Sequence, residues 1–503
     1  MRILVFLSSK EYVRNYITTD AFARIAGHEL GYLLSPEVAA RIDADRLALM
    51  NVVPLVASDG ECLRKRAFTL NNQLQMYDKR NRNPNFIFRL RRELIQNIYT
   101  LFVVPKRLYV SADNTLLKYV PAGVLRDRVA APALAVGKIA RNVLREIPGL
   151  IKYAMIAATV RLGLKPLLSA VLWRGLSLDE GIATMLRAER PDLVVVPSAI
   201  VDAKIYELMR ASARLGIGKV LLLIDNWDNL SSKSAFINKP DFIGVMGQQS
   251  VGFAVDIHEI DGRRVTRMGT PRFEVYKEYF RQRARLTSDV AKRPIAGPYI
   301  LFAGCAVGFD ELGALRALSR ALSSVRDKLP EGTRILYRPH PWGARERYLG
   351  ILAETPIEHV QVDPQIEAGS QFAGDNFQPE LSYYPHLLAE SLMVVCPLST
   401  MILEATIMRK QVLALVHEDG VSLFSPNRML ANYRHFEGLE RLENLALIAD
   451  FDELGAAMCK ACEVGDTSGW PTGLDYFVDV AEPEYAERLA RLVDSIASGS
   501  PPA

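Results

Sequence analysis

Three apolar runs lie close together in the chain: DLVVVPS at residues 192–198, KVLLLI at 219–224 and FIGVMG at 242–247. A helix-like segment at 200–215 separates the first two runs, and Gly216-Ile217-Gly218 is typical of its C-terminal cap. Apolar strands that alternate with helices are typical of a parallel sheet covered on both faces. The sequence therefore predicts an α/β fold whose ligands bind at the carboxyl ends of the strands.

The same pattern occurs again later in the chain, after the linker-like segment KRPIAGP at 292–298. Its apolar runs are YILFAG at 299–304, RILYR at 334–338, LMVVC at 392–396 and QVLALV at 411–416. A chain of 503 residues is too long for one hydrophobic core. We therefore expect two Rossmann-like domains with parallel sheets that face a cleft.

The expected N-terminal domain covers residues 1–290 and the C-terminal domain covers 298–480, followed by a helix and tail at 483–503. MRILVFL at 1–7 predicts the first buried strand, and a helix is expected at 19–28. A basic, helix-like insertion is predicted at about 60–175, with Lys and Arg spaced along an apolar background. The insertion is either an ordinary helical layer with solvated bases, or a surface for anionic lipid or a lipid-diphosphate acceptor.

The composition of the chain limits its possible partners and its cellular compartment. The net charge of +4 is too small to indicate a nucleic-acid partner, and none is expected. Five cysteines, an odd number with irregular spacing, favour a reducing compartment over a disulfide framework. The short N-terminal apolar run is not typical of a signal peptide, and no apolar stretch is long enough for a transmembrane helix. We expect a cytoplasmic protein, at the inner face of the cytoplasmic membrane if the insertion binds lipid.

Candidate ligand-binding residues follow three strands of the C-terminal half. Gly304 ends a strand and would let a backbone approach a phosphate. Arg338 and His340, held between prolines, would stabilise the charge that develops on a diphosphate leaving group, unless His340 is only a packed loop residue. Ser399 or Thr400 would cap a helix and leave N–H groups for a phosphate, with Glu404 placed for a ribose diol; a simple capping box satisfies the same pattern.

The richest polar run of the N-terminal half is DNWDNLSSK at 225–233. Asp225 and Asp228 are candidate general bases for an acceptor hydroxyl. We expect an exposed Trp227 that stacks on a sugar, with Asn229 and Lys233 as further acceptor contacts. The alternative is an Asx-rich turn that satisfies its own hydrogen bonds.

Other strand-end loops are expected on the same face and contribute Ser9, Glu11, Asp202 and Arg272 as acceptor-binding candidates. Asp225 and Asp228 are two residues apart rather than one, and the seven histidines are scattered. No required metal and no cofactor are therefore expected.

These motifs resemble a family. IDNWDNLSSK, PDFIGVMGQQS and VTRMGTPRFEVY resemble loops of bacterial GT-B glycosyltransferases of surface-polysaccharide synthesis. RPHP and PLSTMILEATIMRKQVLAL resemble elements of CDP-glycerol glycerophosphotransferases, capsule Kdo transferases and the UDP-GlcNAc 2-epimerase fold. The resemblance covers about residues 185–280 and 298–420.

The resemblance implies a GT-B fold with a nucleotide-activated donor in the C-terminal domain and an acceptor on the N-terminal side. Arg338, His340, Ser399 and Thr400 would then contact the donor diphosphate, and Glu404 the ribose. Three positions depart from the family pattern: Ser231 replaces Thr, Ser234 replaces Gly and Glu274 replaces Asp.

The function expected is a metal-independent, inverting glycosyltransferase that moves a sugar from a nucleotide-sugar to a cell-envelope glycan or a lipid-linked acceptor. Asp228 or Asp225 would act as base, and His340 would assist the departing phosphate. Two other functions remain open, a sugar-nucleotide epimerase of the same fold and a catalytically inactive GT-B scaffold.

Overall fold

The computed structural model describes residues 1–55, 58–90, 149–198, 200–283, 294–305, 309–340, 345–369, 380–418 and 425–500. The chain divides into two compact units, one made of residues 1–61 and 178–503 and the other of residues 62–177. The second unit corresponds in sequence to the expected basic insertion, of which residues 91–148 lie outside the described residues.

The first sheet has seven parallel strands in the order β3-β2-β1-β4-β5-β6-β7. Their bounds are β1 Arg2–Leu7, β2 Glu29–Leu34, β3 Val52–Pro54, β4 Leu193–Ser198, β5 Lys219–Ile224, β6 Phe242–Val245 and β7 Val265–Arg267. β4 is buried along its whole length, as its continuous apolar sequence requires for a central parallel strand.

The second sheet has six parallel strands in the order β10-β9-β8-β11-β12-β13. Their bounds are β8 Tyr299–Ala303, β9 Arg334–Arg338, β10 Val360–Val362, β11 Ser391–Pro397, β12 Val412–Leu415 and β13 Leu445–Ile448. In each sheet the strand order reverses beside its first strand, between β1 and β4 and between β8 and β11. These reversals are the switch points at which doubly wound folds bind ligands. The expected α/β class of two Rossmann-like, GT-B-type parallel sheets is confirmed.

Helices connect the strands and cover the sheets. The described helices of four or more residues are Pro36–Ala39, Ala44–Ala48, Glu61–Asp78, 84–90, Gly149–Arg161, Lys165–Ser169, Glu180–Glu189, Ala203–Leu215, Gln248–Gly252, Glu274–Arg283, Glu311–Ser324, Arg345–Glu354, Pro364–Gly369, Tyr383–Ala389, Met401–Ile407, Pro426–Asn432, Leu454–Val464, Leu474–Phe477 and Tyr485–Ser498, with π-helical turns at Val13–Ile17, Ala170–Arg174, Asn229–Lys233 and Phe253–Ile257. The glycine cap expected after residue 215 is confirmed, because Gly216 is left-handed with φ 64° and its N–H donates to Ser212 O.

The C-terminal helix Tyr485–Ser498 belongs to the core of the first sheet. Its residues Tyr485, Leu489 and Val493 are buried with the side chains of β1 and β4. The chain reaches this position through residue 479, whose N–H donates to Met246 O at 2.7 Å. A Cβ at Gly247 would lie 2.5 Å from the backbone carbon of Phe477, so only glycine allows this close approach.

One expected helix is wrong. Residues 19–28 form turns, and the helical residues precede them at Lys10–Tyr12 and Val13–Ile17. Asp20 has φ 54° and Gly27 has φ 73°, values that an α-helix does not contain. The predicted helix therefore lay about nine residues too late in the chain.

The unit formed by residues 62–177 has its own small apolar core, in which Leu74 and Tyr77 of the long helix contact Ile156. Among the described residues no single helix is long and apolar enough to cross a membrane. One pair of helices, Gly149–Arg161 and Lys165–Arg174, meets the length and composition criteria together but is bent by 117°.

Candidate functional site

Asp225 is the first residue after β5, and its carboxylate is buried at 3% exposure. It accepts hydrogen bonds from Asn15 Nδ2 at 2.7 Å and from Thr270 Oγ1 at 3.4 Å. Burial raises the pKa of Asp225, and the nearby Arg272 guanidinium opposes that rise. Asp225 thus connects the segments that follow β1, β5 and β7, at the carboxyl-terminal end of the strands of the first sheet.

Arg272 follows β7 and lies between this edge and the second sheet. Its Nη2 lies 3.8 Å from Glu404 Oε1, which is too long for a hydrogen bond, and its side chain is only 12% exposed. Nε and Nη2 are buried without a hydrogen-bond partner among the described residues. A desolvated guanidinium with unbonded N–H groups is costly unless an anion binds to it. Arg272 is therefore a candidate residue for binding an anion.

Glu404 lies in the helix Met401–Ile407 that follows β11, with 8% exposure. Its Oε2 accepts a short hydrogen bond from the Tyr276 hydroxyl. Burial, followed by the adjacent carboxylate of Glu404, raises the pKa of Tyr276 well above its usual range. Arg272 therefore lies near carboxylates of both halves, Asp225 beside the first sheet and Glu404 beside the second.

Asp228 lies in the loop after β5 and is partly exposed. Its Oδ2 is 2.9 Å from Lys233 Nζ, and its backbone oxygen accepts from the Ser231 and Ser232 hydroxyls. The loop therefore satisfies many of its own hydrogen bonds, as an Asx-rich turn does. The ion pair between Asp228 and Lys233 is partly exposed, so a ligand can reach it.

Trp227 is not the exposed stacking platform expected from the sequence. It is 3% exposed, and its ring meets those of His435, Phe436 and Phe477 edge-on at 5.4 to 5.8 Å between centroids. Burial lowers the pKa of His435 to about 4, so its ring is neutral near pH 7. Trp227 thus anchors the polar loop against the C-terminal half rather than binding a sugar.

The remaining acceptor candidates lie at neighbouring strand ends. Ser9 and Glu11 follow β1 and are partly exposed, whereas Asp202 caps the helix Ala203–Leu215 by accepting from Lys204 N at 2.9 Å. Asn229 is fully buried, and its Nδ2 donates to Ser198 O at 3.3 Å. Asn229 therefore links β4 to the loop after β5 and has no surface for an acceptor.

Arg338 is the last residue of β9 and is 3% exposed. Its Nη1 donates a short bond to Asp363 Oδ2, its Nη2 donates to Gln365 Oε1 at 3.0 Å, and its guanidinium carbon lies 4.8 Å from the Tyr384 ring centroid. The guanidinium therefore holds together β9, the end of β10 and the helix Tyr383–Ala389. Its predicted contact with a diphosphate stays a prediction.

The structure gives a reason for a glycine at position 304 that differs from the expected approach of a phosphate. A Cβ at this position would lie 2.2 Å from Glu311 Oε1, so any other residue would require the Glu311 side chain to move. Glu311 also accepts from the Tyr337 hydroxyl at 2.6 Å, and burial raises the pKa of Glu311 to about 7. His340 is partly exposed. Residues 341–344, which follow it, lie outside the described residues.

Ser399 and Thr400 follow β11 at the switch point of the second sheet and are partly exposed. The helix begins after Thr400, whose side chain makes no capping hydrogen bond. Thr400 therefore occupies the predicted N-cap position without the hydrogen bond of a capping box, and the predicted phosphate contact of Ser399 and Thr400 stays a prediction.

The structure brings together Asp225, Arg272 and Glu404, and it places Arg338 in a separate buried network. Sequence reasoning missed Tyr276, Asn15 and His435, which come from segments with no strand-end motif. For Tyr276, the only signal in the sequence was an aromatic residue with a hydroxyl group between the charged residues Glu274 and Lys277. Among the described residues no cluster of His, Cys, Asp and Glu could hold a metal ion.

No family model and no curated protein sequence matches the chain. Among solved structures it is similar to a putative UDP-N-acetylglucosamine 2-epimerase from Listeria monocytogenes, at 10% identity and TM-score 0.48 over 99% of this chain and 97% of that one. It is also similar to UDP-GlcNAc 2-epimerase from Neisseria meningitidis bound to UDP-GlcNAc (9%, 0.41, 99% and 100%) and to Acinetobacter baumannii MurG (9%, 0.41, 98% and 99%). All three scores are below 0.5, so the fold assignment rests on the strand order of the two sheets.

Proposed function

We propose that the protein is a glycosyltransferase that moves a sugar from a nucleotide-activated donor to a cell-envelope glycan or a lipid-linked acceptor without a required metal. The observation that carries the proposal is Arg272, a desolvated guanidinium with unbonded N–H groups at the meeting point of the two sheets. A diphosphate supplies hydrogen-bond acceptor oxygens for these N–H groups, together with negative charge.

The donor is assigned to the second sheet. Gly304 and Cys305 follow β8, and Ser399 and Thr400 follow β11, so these residues flank the reversal of strand order. The Arg272 guanidinium lies beside the second sheet, because it is 3.8 Å from Glu404 in the helix that follows β11. In the proposal Arg272 and His340 stabilise the charge that develops on the departing diphosphate.

The acceptor is assigned to the first sheet, where Asp228 serves as general base. The acceptor hydroxyl attacks the anomeric carbon, Asp228 takes its proton, and the bond between that carbon and the diphosphate oxygen breaks with its electron pair on the phosphate. Direct attack of this kind inverts the anomeric centre. Asp228 is preferred to Asp225 because the Asp225 carboxylate is buried and already accepts two hydrogen bonds.

A sugar-nucleotide epimerase is the second candidate. It is supported by the placement of two carboxylates, Asp225 and Glu404, near Arg272. Incubation with UDP-GlcNAc alone separates the candidates. An epimerase converts it to its C2 epimer, whereas a transferase leaves it unchanged until an acceptor is added.

The donor is found with a thermal-shift screen of UDP-, GDP-, CDP-, CMP- and dTDP-sugars, because a ligand that binds the native state raises its melting temperature. Transfer from the donor so identified is then measured, with EDTA present, for wild type, His340→Ala and Glu404→Ala. The proposal predicts EDTA-resistant transfer that both substitutions reduce. Unchanged transfer in both variants would end the assignment, and the absence of any shift across the panel would favour an inactive scaffold.

A further inference from the structure

The helices of the unit formed by residues 62–177 carry two apolar stripes where an amphipathic helix has one. In Gly149–Arg161 the buried stripe contains Tyr153, Ile156 and Val160, which pack against Leu74 and Tyr77. This stripe already packs the helix against the described part of the unit, and a further apolar stripe has no packing role among those residues.

The second stripe lies on the opposite side of the same helix and faces outward. Ile151, Met155 and Leu162 are 54%, 64% and 70% exposed, and exposed Ala158 completes the spacing i, i+4, i+7, i+11. The next helical segment repeats the arrangement, with Leu164, Leu167 and Val171 at 47%, 65% and 61% exposure and at spacing i, i+3, i+7. Monomeric soluble proteins rarely expose so continuous an apolar surface.

All charged residues of these two helices are basic, and Lys165 is paired with Asp78 of the helix Glu61–Asp78. No Asp or Glu occurs between Glu146 and Asp179, whereas Lys152, Arg161 and Arg174 are exposed. A second copy of the chain bound face to face would bring these bases together, which disfavours a symmetric dimer. An anionic lipid surface has both the apolar interior and the negative headgroups that the surface requires.

We infer that the exposed stripes of residues 150–171 lie in the interface of an anionic membrane, with the two helices parallel to it. A helix of 13 residues is about 20 Å long, shorter than the ~30 Å hydrocarbon core, and the 117° bend prevents the pair from acting as one straight span. The buried stripe also ties both helices to Glu61–Asp78, whose charged residues other than Arg64 are exposed. This inference goes beyond the proposed function and does not depend on the donor.

The test is sedimentation of the full chain with vesicles of phosphatidylcholine alone or mixed with phosphatidylglycerol. The variant Ile151→Gln/Met155→Gln/Leu167→Gln removes apolar area at exposed sites and keeps good helix formers. The matched control is Leu49→Gln/Val464→Gln, since Leu49 and Val464 are 89% and 59% exposed outside the surface. A third variant, Lys152→Gln/Arg161→Gln, removes charge alone.

Wild type and the control are expected to bind phosphatidylglycerol vesicles equally, and the triple variant at least tenfold less. The charge variant is expected to lose the preference for phosphatidylglycerol over phosphatidylcholine. The inference is overturned if wild type does not sediment with anionic vesicles, if the triple variant binds as wild type does, or if wild type is a dimer that the triple variant dissociates and that ignores vesicles. The nucleotide-sugar thermal shift of the triple variant should equal that of wild type, which separates this test from that of the proposed function.

Discussion

Arg272 Nη2 lies 3.8 Å from Glu404 Oε1, so a cation that follows the last strand of the first sheet faces a carboxylate of the second sheet without a hydrogen bond between them. The opposite charges hold the two halves in register, while the missing hydrogen bond leaves Arg272 donors for a ligand. In the proposed function, ligand binding and the contact between the two halves therefore share Arg272.

The Tyr276 hydroxyl is expected to stabilise the native protein through Glu404. Tyr276→Phe removes the hydrogen bond and leaves a buried carboxylate oxygen without it, at a cost of about 1–3 kcal/mol. In a double-mutant cycle with Glu404→Gln, unfolding measurements should show coupling between the two sites. Additive losses would mean that the bond contributes nothing specific. Tyr476→Phe, outside this network, is the control.

Trp227 is expected to contribute to stability and not to sugar recognition. Trp227→Leu loses three aromatic contacts in a buried site, so the melting temperature should fall, by an amount equivalent to a few kcal/mol. The Michaelis constant for the acceptor, measured well below the new melting temperature, should be unchanged. Trp470→Leu, at a position 39% exposed, should leave both quantities alone. A higher acceptor constant in Trp227→Leu with unchanged stability would restore the stacking interpretation.

Asp228 is expected to act in the chemical step. Asp228→Asn should reduce kcat by about 100-fold or more with little change in donor affinity, because a general base typically contributes that much. Asp261→Asn serves as control, since Asp261 pairs only with its neighbour Arg263 among the described contacts. Full kcat in Asp228→Asn would transfer the role of base to another carboxylate.

His435 should make the protein less stable as the pH falls. Its native pKa, near 4, is below the unfolded value of about 6.5, so between these values the unfolded chain binds a proton that the native state excludes. The free energy of unfolding is therefore highest above about pH 6.5, where His435 is neutral in both states. It falls progressively toward pH 4, and His435 accounts for a loss of about 3 kcal/mol.

The check compares melting temperatures from pH 4 to pH 7.5 for wild type, His435→Gln and the control His28→Gln. The fall in melting temperature below pH 6.5 should be smaller in His435→Gln than in the other two proteins. Equal slopes in all three would show that His435 is accessible to protons in the native state.

Much of the fold could be predicted because the central strands are continuous apolar runs. β4, β5 and β9 lie within about one residue of their expected bounds, since burial on both faces requires that sequence. The edge strands β3, β7 and β10 have three residues each; β3 and β10 were not anticipated, and β7 was implied only by the strand-end loop that contains Arg272. Such short strands carry no periodicity, and their position is set by pairing with a longer neighbour.

The site was harder to predict because its environment comes from distant parts of the chain. Trp227 is buried by Phe436 and Phe477, more than 200 residues later, and nothing near Trp227 in sequence indicates that cover. Strand-end position correctly selected Asp225 and Arg272 as neighbours, because parallel strands end at one edge. It could not distinguish Arg338, whose partner Asp363 follows another strand end and neutralises it.

The central claim, that a diphosphate binds at Arg272, is tested most directly by titration calorimetry of the nucleotide diphosphate that the screen identifies. Arg272→Gln should raise its dissociation constant about 10- to 100-fold, since a hydrogen bond to a charged group contributes about 1.5–3 kcal/mol. Arg263→Gln, which removes an arginine that is 85% exposed, should bind as wild type does. A dissociation constant for folded Arg272→Gln within twofold of the wild-type value would contradict the account.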